Sequence, residues 1–328
     1  MIDIHPTGPT FLFIGVTTGA SFSRICFPVW MDAIQAPDVQ LIGVDLPLHA
    51  PPDDYRRVVA RIKSDPLVLG ALVTSHKIDI VAAAGDIIDE LGPYARLTGE
   101  VSSLSKEGRK LVGRATDPTA GGASLASIIG SGYFGRTGGH VLILGAGGAA
   151  VALSLHLLRR EDPADRPSVV TVVNRSAPRL DSLKTLVSSQ DADVTFEFVL
   201  NSDPTANDRL VSRLPPGSIM INATGAGKDV PGSPLTDGVI FPRGGVAWDL
   251  NYRGDLLFLR QARAQRAARN LIVADGWEYF VHGWTEVISH VLHIDIDPAT
   301  QARMAQLAAG LRRPDVSGVP ARCHGNGR

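Results

Sequence analysis

The strongest indication of the fold of this 328-residue chain is a glycine-rich segment near its middle, Val141-Leu142-Ile143-Leu144-Gly145-Ala146-Gly147-Gly148-Ala149-Ala150. Its four leading apolar residues predict a buried strand, and the apolar, alanine-rich residues that follow predict a helix. Glycines between them allow a tight strand-to-helix turn and let a phosphate approach the backbone N–H groups at the positive helix end. Ala150 stands at the third position of this dinucleotide-binding pattern, where alanine is tolerated. The stretch predicts a pyrophosphate site, with a tight turn without a ligand as the alternative; its residues are Gly145, Gly147, Gly148 and Ala149.

Residues 118–275 surround this loop with a regular alternation of strands and helices. Five short apolar segments predict strands: Val141–Leu144, Val169–Val173, Val194–Val199, Ser218–Ile221 and Val246–Leu250. Three amphipathic segments predict helices between them: Ala149–Arg160, Pro178–Ser188 and Leu256–Arg266. This order is typical of a parallel, twisted sheet covered by helices on both faces. We therefore predict an α/β fold whose Rossmann-type nucleotide-binding domain covers residues 118–275.

The second of these strands ends in a segment that bears on the choice of cofactor. Asn174-Arg175-Ser176 follows the strand, and Arg179 comes three residues later. NAD-binding folds usually place an acidic residue here to accept a hydrogen bond from the ribose 2′-hydroxyl. That acid is absent, and a guanidinium suits a 2′-phosphate instead. We predict that these four residues bind NADP, with solvated surface arginines as the alternative.

The first third of the chain has a second α/β pattern. Strands are predicted at Thr10–Val16, Val39–Val44 and Val68–Val73, and helices at Ser23–Ile34, Asp54–Lys63 and Ile78–Leu91. A hairpin of Glu100–Leu104 and Lys110–Ala115 closes this unit, and a helix follows from Pro118 to Ile129. Two more helices are predicted near the C-terminus, over Trp277–Leu292 and Pro298–Leu311. The residues from 312 to 328 are rich in Pro, Gly and charge, a composition that predicts a disordered tail.

The bulk composition excludes several classes of protein. The net charge is −1, so no overall field attracts nucleic acid or an anionic membrane. The chain has two cysteines, and its nine histidines show no ligand spacing, so we predict neither a disulfide framework nor a metal site. Neither a secretory signal nor an apolar stretch of membrane-spanning length is apparent. We expect a soluble, cytoplasmic protein, either a monomer or a homodimer.

The order of motifs along the chain resembles the shikimate dehydrogenase family, from about Phe13 to Trp284. No single piece is decisive, but their order and spacing together are specific. Besides the glycine loop and Asn174-Arg175-Ser176, the matching pieces are Gly15 through Ser21-Phe22-Ser23, Gly70 through Thr74-Ser75-His76-Lys77, Gly99-Glu100-Val101-Ser102-Ser103-Leu104, Leu111-Val112-Gly113-Arg114-Ala115-Thr116-Asp117, Ile221-Asn222-Ala223-Thr224, Asp249 through Tyr252, and Asp275-Gly276.

This resemblance implies a split substrate-binding domain, made of residues 1–117 and completed by the C-terminal helices at 276–311. It implies Lys77 and Asp117 as the catalytic pair. It further implies that substrate is bound by Ser21, Ser23, Thr74, Ser102, Tyr252 and His282, and that Thr224 contacts the cofactor. The two serines and the tyrosine would hold a substrate carboxylate.

The chemistry supplies an independent reason for a lysine–aspartate pair. A secondary alcohol that loses hydride must also lose its hydroxyl proton, so a base has to lie within hydrogen-bond reach. A neutral lysine can take that proton, and a neighbouring carboxylate can orient it. Taken alone, Lys77 fits a solvated surface group, Asp117 fits a helix N-cap, and the serines fit ordinary caps.

Departures from the family pattern cluster where ring hydroxyls should be recognised. The family usually has asparagine where this chain has Ser102 and Ala115, and glutamine where it has His282. The segment before Lys77 lacks the family's proline and is about one residue shorter. Serine is shorter than asparagine, and the alanine side chain offers neither donor nor acceptor. We therefore predict that this chain recognises the hydroxyls of its substrate differently from the family. His76 and His282 are candidates for new hydrogen bonds, and packing against Trp284 is the structural alternative for His282.

Three functions remain open. The first is reversible, NADP-dependent hydride transfer to and from a ring hydroxyl of a shikimate-like carboxylic acid. The second is the same chemistry on a different hydroxy or amino carboxylate, such as a quinate-like or aminoshikimate-like acid. The third is a nucleotide-binding regulatory protein without turnover. The presence of both Lys77 and Asp117 argues against the third, because a pure binding protein has no need of an acid–base pair.

Overall fold

The chain divides into two compact units, each with its own six-stranded sheet. The computed structural model describes residues 4–190, 193–227 and 230–312. Unit 1 contains the residues up to Ala115 and those from Trp284 onward, and unit 2 contains Thr116–Gly283. The tail predicted from residue 312 therefore lies, beyond its first residue, outside the described residues.

Unit 1 begins as a run of strands and helices. Its strands are β1 (Thr10–Gly15), β2 (Gln40–Asp45), β3 (Val68–Val73), β4 (Glu90–Leu91), β5 (Ser103–Glu107) and β6 (Lys110–Arg114), and its first helices are α1 (Ser23–Ala33), α2 (Pro52–Ser64), α3 (Lys77–Ala84) and α4 (Pro93–Thr98). The sheet order is β2-β1-β3-β5-β6-β4. The first three strands are parallel to one another, whereas β5 runs antiparallel to both β3 and β6.

Unit 2 continues the chain with a fully parallel sheet. Its elements are α5 (Asp117–Ile129), α6 (Tyr133–Thr137), β7 (Val141–Leu144), α7 (Gly148–Leu158), β8 (Val169–Asn174), α8 (Ala177–Ser188), β9 (Thr195–Leu200), α9 (Pro204–Val211), β10 (Ile219–Asn222), β11 (Val246–Asp249), α10 (Leu257–Arg269), β12 (Ile272–Ala274) and the start of α11 (Trp277–Leu292). The sheet order, β9-β8-β7-β10-β11-β12, is that of a doubly wound dinucleotide-binding fold. The predicted α/β fold with a parallel nucleotide-binding sheet is confirmed.

The C-terminal helices belong largely to unit 1. Helix α11 crosses the division between the units, and α12 (Pro298–Leu311) follows it. Trp284 of α11 packs its ring against Phe11, Phe13, Phe27 and Trp30, with ring centroids 5.2–6.1 Å apart. The Trp30 indole N–H donates to the Met304 carbonyl at 2.9 Å, which ties α12 to α1. The aromatic contacts hold α11 against β1 and α1, and the hydrogen bond holds α12 against α1.

One predicted helix was too long. The segment predicted to be helical from Ile78 to Leu91 stops at Ala84, and Glu90–Leu91 forms the edge strand β4. Glu90 and Leu91 pair with Val112 and Gly113 of β6, so the sheet overrides the local helical pattern.

Candidate active site

The glycine loop lies at the switch point of the parallel sheet of unit 2. It follows β7, whose neighbour β10 begins the other half of the sheet, and ligands bind in the crevice at such a point. Gly145 has φ +111°, and an added Cβ there would lie 2.7 Å from the Ala223 carbonyl oxygen. Gly145 therefore lets the loop after β7 come against the loop after β10.

Gly147 is different, because the fold does not require it. Its φ is −88°, which any residue adopts, and an added Cβ would meet no protein atom within 4 Å. It stands at the N-cap of α7, where the backbone N–H groups of the first turn have no partner within the helix. Open space above these groups fits a phosphate that approaches the backbone closely.

The two arginines predicted to bind the 2′-phosphate are both solvent-exposed. Arg175 lies just after β8, Ser176 is the N-cap of α8, and Arg179 lies in the first turn of that helix. Within the described part of the chain, neither guanidinium forms an ion pair or a side-chain hydrogen bond. Asn174 turns its amide toward the Ser176 carbonyl at 3.2 Å. Two exposed cations beside a helix N-terminus suit an anionic phosphate.

Thr224 lies on the loop after β10, beside the glycine loop. Its backbone N–H and its hydroxyl both donate to the Asn222 side-chain oxygen, at 3.1 and 2.6 Å. The Ala226 N–H donates to the Thr224 hydroxyl oxygen at 3.2 Å. These bonds fold the loop into a tight turn at the carboxyl end of β10.

A buried polar group at the end of β11 was missed in the sequence. Asp249 is fully buried, and its Oδ1 accepts hydrogen bonds from the Asn251 backbone N–H and side-chain amide, at 2.9 and 2.8 Å. Its other oxygen, Oδ2, is buried without a hydrogen-bond partner among the described atoms. Burial raises the pKa of Asp249 to about 6, although hydrogen bonds from Asn251 and from the Asn222 side chain oppose that shift. The sequence signal was present: Asp249 ends a strand that is otherwise apolar, and Asn251 follows two residues later.

Tyr252 and His282 complete the predicted substrate residues of unit 2. The Tyr252 ring packs against Trp277 and Phe280, at centroid distances of 5.8 and 4.8 Å. His282 is half-buried on α11, and desolvation lowers its pKa. Residues two apart on a helix point in different directions, so His282 does not share the face on which Trp284 packs.

The predicted substrate residues of unit 1 gather at one edge of its sheet. The carboxyl ends of β1 and β3 lie at this edge, and antiparallel β5 begins there. Ser21 and Ser23 follow β1, with their hydroxyl oxygens 2.7 Å apart. Ser23 is fully buried and Ser21 is partly exposed. One hydroxyl proton is used between them, so the pair retains one donor for an anion.

Thr74, Lys77 and Ser102 lie together at the same edge. Thr74 follows β3 and donates to the Ile14 carbonyl at 3.1 Å. The Val73 N–H donates to the Ser102 carbonyl at 2.9 Å, and the Val101 N–H donates to the Lys77 carbonyl at 3.1 Å. Ser102 is buried and directs its hydroxyl at the Arg114 carbonyl, 3.4 Å away.

His76 anchors the backbone beside Lys77. Its ring is fully buried, with Nε2 3.1 Å from the Leu46 carbonyl oxygen and Nδ1 3.1 Å from the Tyr55 hydroxyl. A carbonyl can only accept, so Nε2 carries a proton. Because both ring nitrogens are engaged by the protein, His76 acts as a structural histidine at the start of α3.

Lys77 and Asp117 fall in different compact units, and each is the first residue of a helix. Lys77 opens α3 after the N-cap His76, and Asp117 opens α5 after the N-cap Thr116. The alternative interpretation of Asp117 was a helix N-cap, but the N-cap of α5 is Thr116, and Asp117 is the first helical residue after it. Both side chains are partly exposed.

No group of three or more His, Cys, Asp or Glu side chains within residues 4–190, 193–227 and 230–312 is arranged to hold a metal ion. No helix in those ranges is both long and apolar enough to cross a membrane.

Known proteins resemble this chain in sequence and in fold. A shikimate dehydrogenase (NADP(+)) from Symbiobacterium thermophilum is 30% identical over 237 residues, which cover 71% of this chain and 73% of that protein. No family model matches the chain.

Two solved structures share its fold. Quinate dehydrogenase from Corynebacterium glutamicum, in complex with NAD, has a TM-score of 0.72 at 17% identity and covers 93% of this chain and 99% of its own. The ligand-free 5-ketofructose reductase of Gluconobacter sp. strain CHM43 has a TM-score of 0.66 at 24% identity, with 92% and 98% covered. The sequence likeness to the Symbiobacterium enzyme, together with the doubly wound fold and its glycine loop, places the chain in the shikimate dehydrogenase family.

Proposed function

We propose that this chain is an NADP-dependent oxidoreductase that transfers hydride reversibly between NADP(H) and a ring hydroxyl or ketone of a shikimate-like carboxylic acid. The observation that carries this proposal is Gly147, a glycine that neither backbone conformation nor packing requires. It opens the first turn of α7 to a pyrophosphate, in a chain of the shikimate dehydrogenase family. The exposed Arg175 and Arg179 then favour the 2′-phosphate of NADP over a free ribose hydroxyl.

We assign the proton transfer to Lys77. When NADP⁺ is bound, it supplies the acceptor for the hydride. The neutral amine of Lys77 takes the hydroxyl proton of the substrate while the carbon–hydrogen bond breaks with its electron pair, and the carbon–oxygen double bond forms. The Asp117 carboxylate stabilises the resulting ammonium. In the reverse direction the ammonium returns its proton to the alkoxide oxygen.

The substrate carboxylate is assigned to the serine pair and to Tyr252. Ser21 and Ser23 offer hydroxyl donors at the sheet edge that also carries Lys77. Hydroxyl donors hold an anion without adding a fixed positive charge near the base. Thr74 and Ser102 lie at the same edge and are assigned to the ring of the substrate.

A second candidate substrate is a different hydroxy or amino carboxylate. Ser102 turns its hydroxyl toward the Arg114 carbonyl, and the Ala115 side chain has no polar group. A site built this way leaves some hydroxyls of shikimate without partners, and unpaired groups are discriminated against strongly. His282 supplies a half-buried imidazole that can serve as donor or acceptor to another substituent.

We place this activity in the cytoplasm and in the shikimate pathway as part of the same proposal. Cys26 is buried, and desolvation raises the pKa of its thiol to about 12, so it is an inert packing residue. A free, unpaired thiol fits a reducing compartment.

The test is the reduction of NADP⁺ at its nicotinamide absorbance, against shikimate, quinate, aminoshikimate and simpler hydroxy acids. Lys77→Ala and Asp117→Ala run beside the native protein. Turnover on shikimate that Lys77→Ala abolishes and Asp117→Ala lowers supports the proposal, and activity on another acid alone selects the second candidate. NADP⁺ binding without turnover on any acid contradicts both and favours a regulatory protein.

A further inference from the structure

The buried pair at the end of β11 connects two loops of unit 2. Asn251 has 7% of its surface exposed, and its amide donates at 2.8 Å to Asp249 on its own loop. The same amide donates at 3.0 Å to the Thr224 carbonyl and at 3.3 Å to the Ala226 carbonyl, both on the loop after β10. Asn251 therefore bridges two segments that are separated by more than twenty residues in the chain.

The chemistry of the three acceptors fixes the orientation of the Asn251 side chain. Two carbonyl oxygens and a carboxylate oxygen surround it, and none of them carries a hydrogen to donate. Only the NH₂ end of the amide can donate to them, with its two hydrogens shared among the three acceptors, so the side chain has one stable orientation. Asp249 holds it there, since its Oδ1 also accepts the Asn251 backbone N–H.

Each of the two bridged loops carries a residue of the proposed site. Thr224 lies on the loop after β10, in a turn closed by the Asn222 side chain. Tyr252 directly follows Asn251, with its ring against Trp277 and Phe280. We propose that Asn251, oriented by Asp249, is a positioning residue that sets the cofactor-facing Thr224 loop relative to the substrate-facing Tyr252. This inference rests on the proposed function for the roles of those two residues.

The state of Asp249 supports a role beyond packing. Its Oδ2 has no hydrogen-bond partner within 3.5 Å among the described atoms, although the Asn222 side chain also stabilises the charge of this buried carboxylate. Such a group costs stability and is readily replaced by apolar residues where nothing else requires it. A clamp on two site loops is a reason to keep it.

The test compares two buried amides of the same unit. Asn251→Leu removes the clamp, whereas Gln261→Leu removes a comparable amide on α10. Gln261 is buried, donates to the Leu235 carbonyl and Asp237 at 3.2 and 3.0 Å, and accepts from Ser233 at 2.8 Å. Both substitutions lose buried hydrogen bonds, so both are expected to lower the melting temperature.

Only Asn251→Leu is expected to affect the site. The loss of two bonds that order a binding loop should raise the Kd of NADP⁺ and the KM of the acid by about tenfold each. The Kd is measured by direct titration, without turnover. Equal Kd and KM values for the Asn251 and Gln261 variants, at matched loss of melting temperature, would overturn the inference.

Asp249 provides a rescue experiment. Asp249→Asn keeps an Oδ1 acceptor for the Asn251 amide and should keep the Kd and KM within about threefold of the native values, whereas Asp249→Leu should match Asn251→Leu. Should Asn251→Leu fail to fold, Asn251→Ser, which is too short to reach Thr224, carries the same prediction. If the native protein oxidises no acid, the proposed function fails, yet the NADP⁺ titration still decides whether the clamp shapes the cofactor loop.

Discussion

Lys77 and Asp117 each stand at the start of a helix, one in unit 1 and one in unit 2. The electrostatic field at a helix start favours the carboxylate of Asp117 and disfavours the ammonium of Lys77. Each is the first residue of its helix, α3 in unit 1 and α5 in unit 2. The helix dipole presents partial positive charge there, which favours a carboxylate and disfavours an ammonium by about 0.3–1 kcal/mol each. Helix stability is therefore a sufficient reason for a carboxylate at Asp117, whatever its role in catalysis, whereas the ammonium of Lys77 is placed against the local field.

The glycine loop repeats this contrast within unit 2. Gly145 is required by its φ of +111° and by the nearby Ala223 carbonyl, whereas Gly147 is required by neither conformation nor packing. Residues that the fold does not require are therefore the more informative about function. Lys77 and Gly147 need an explanation from chemistry, while Asp117 and Gly145 have one from the fold.

The largest expected effect comes from Lys77→Met. The variant removes the base, so kcat should fall by about 10²–10⁴. Steady-state rates measure this loss, and scanning calorimetry shows that the variant is folded. A variant that keeps its turnover would show that Lys77 is only a surface residue.

Lys63 offers the matched control. It lies in the last turn of α2, where a cation is favoured, and its ammonium donates to the Ile87 carbonyl and to Asp89 at 2.9 and 2.8 Å. Lys63→Met should therefore lower the melting temperature and leave kcat unchanged. If Lys63→Met lowered kcat as much as Lys77→Met, the loss of turnover could not be assigned to a base at Lys77.

Substitution of the two glycines is expected to impair different properties: NADP⁺ affinity for Gly147 and stability for Gly145. Gly147→Ala should raise the Kd of NADP⁺ by about 10- to 100-fold with little change in stability, because the added methyl enters the space left for the pyrophosphate. Gly145→Ala should cost more than about 1 kcal/mol in unfolding free energy, since its backbone is left-handed and its Cβ would meet the Ala223 carbonyl. Denaturant titration and NADP⁺ binding separate the two, and a destabilised Gly147→Ala would refute the distinction.

Asp117→Asn should affect stability and activity together. The loss of charge at the start of α5 removes a few tenths to about 1 kcal/mol, and the loss of the partner for Lys77 lowers kcat by about tenfold. Asp297 is the control, because its side chain caps α12 by accepting from the Thr300 N–H at 2.6 Å. Asp297→Asn should destabilise the protein without any change in kcat, and an unchanged kcat for Asp117→Asn as well would leave Asp117 as a helix residue only.

The smallest effect is a change in cofactor selectivity. Arg175→Ala should raise the KM of NADP⁺ by about tenfold and leave that of NAD⁺ unchanged, because only NADP⁺ carries the 2′-phosphate. Arg213 is also exposed but precedes β10, at the amino ends of the parallel strands, and Arg213→Ala should change neither value. Equal changes for both cofactors would assign Arg175 to another group.

The sequence predicted the elements with strong local signals. Strands β3 and β7 and helices α11 and α12 lie where their apolar patterns placed them. The short elements α4, α6, α9 and β12 were missed, because so few residues carry no clear periodicity. The end of α3 was missed because β4 forms through pairing with a distant strand.

Candidate site residues can be proposed from the sequence where a motif is continuous, but not where separate loops meet. The glycine loop and the segment from Asn174 are local, so residue types and order suffice to propose them, and their role in binding NADP stays a prediction. The Asp249–Asn251 clamp depends on Thr224 and Ala226, which only the folded sheet brings near. The burial of His76 was equally hidden, since Tyr55 and Leu46 meet it from other elements.

Proton transfer by Lys77 can be tested directly by chemical rescue of the Lys77→Ala variant. The variant is assayed with NADP⁺ and the acid that the native protein oxidises, in the presence of small primary amines of graded pKa. If Lys77 transfers the proton, the amines restore turnover, with rates that depend on amine basicity as a general base requires. Restoration by no amine, or turnover of the variant at the native rate without one, would contradict proton transfer by Lys77.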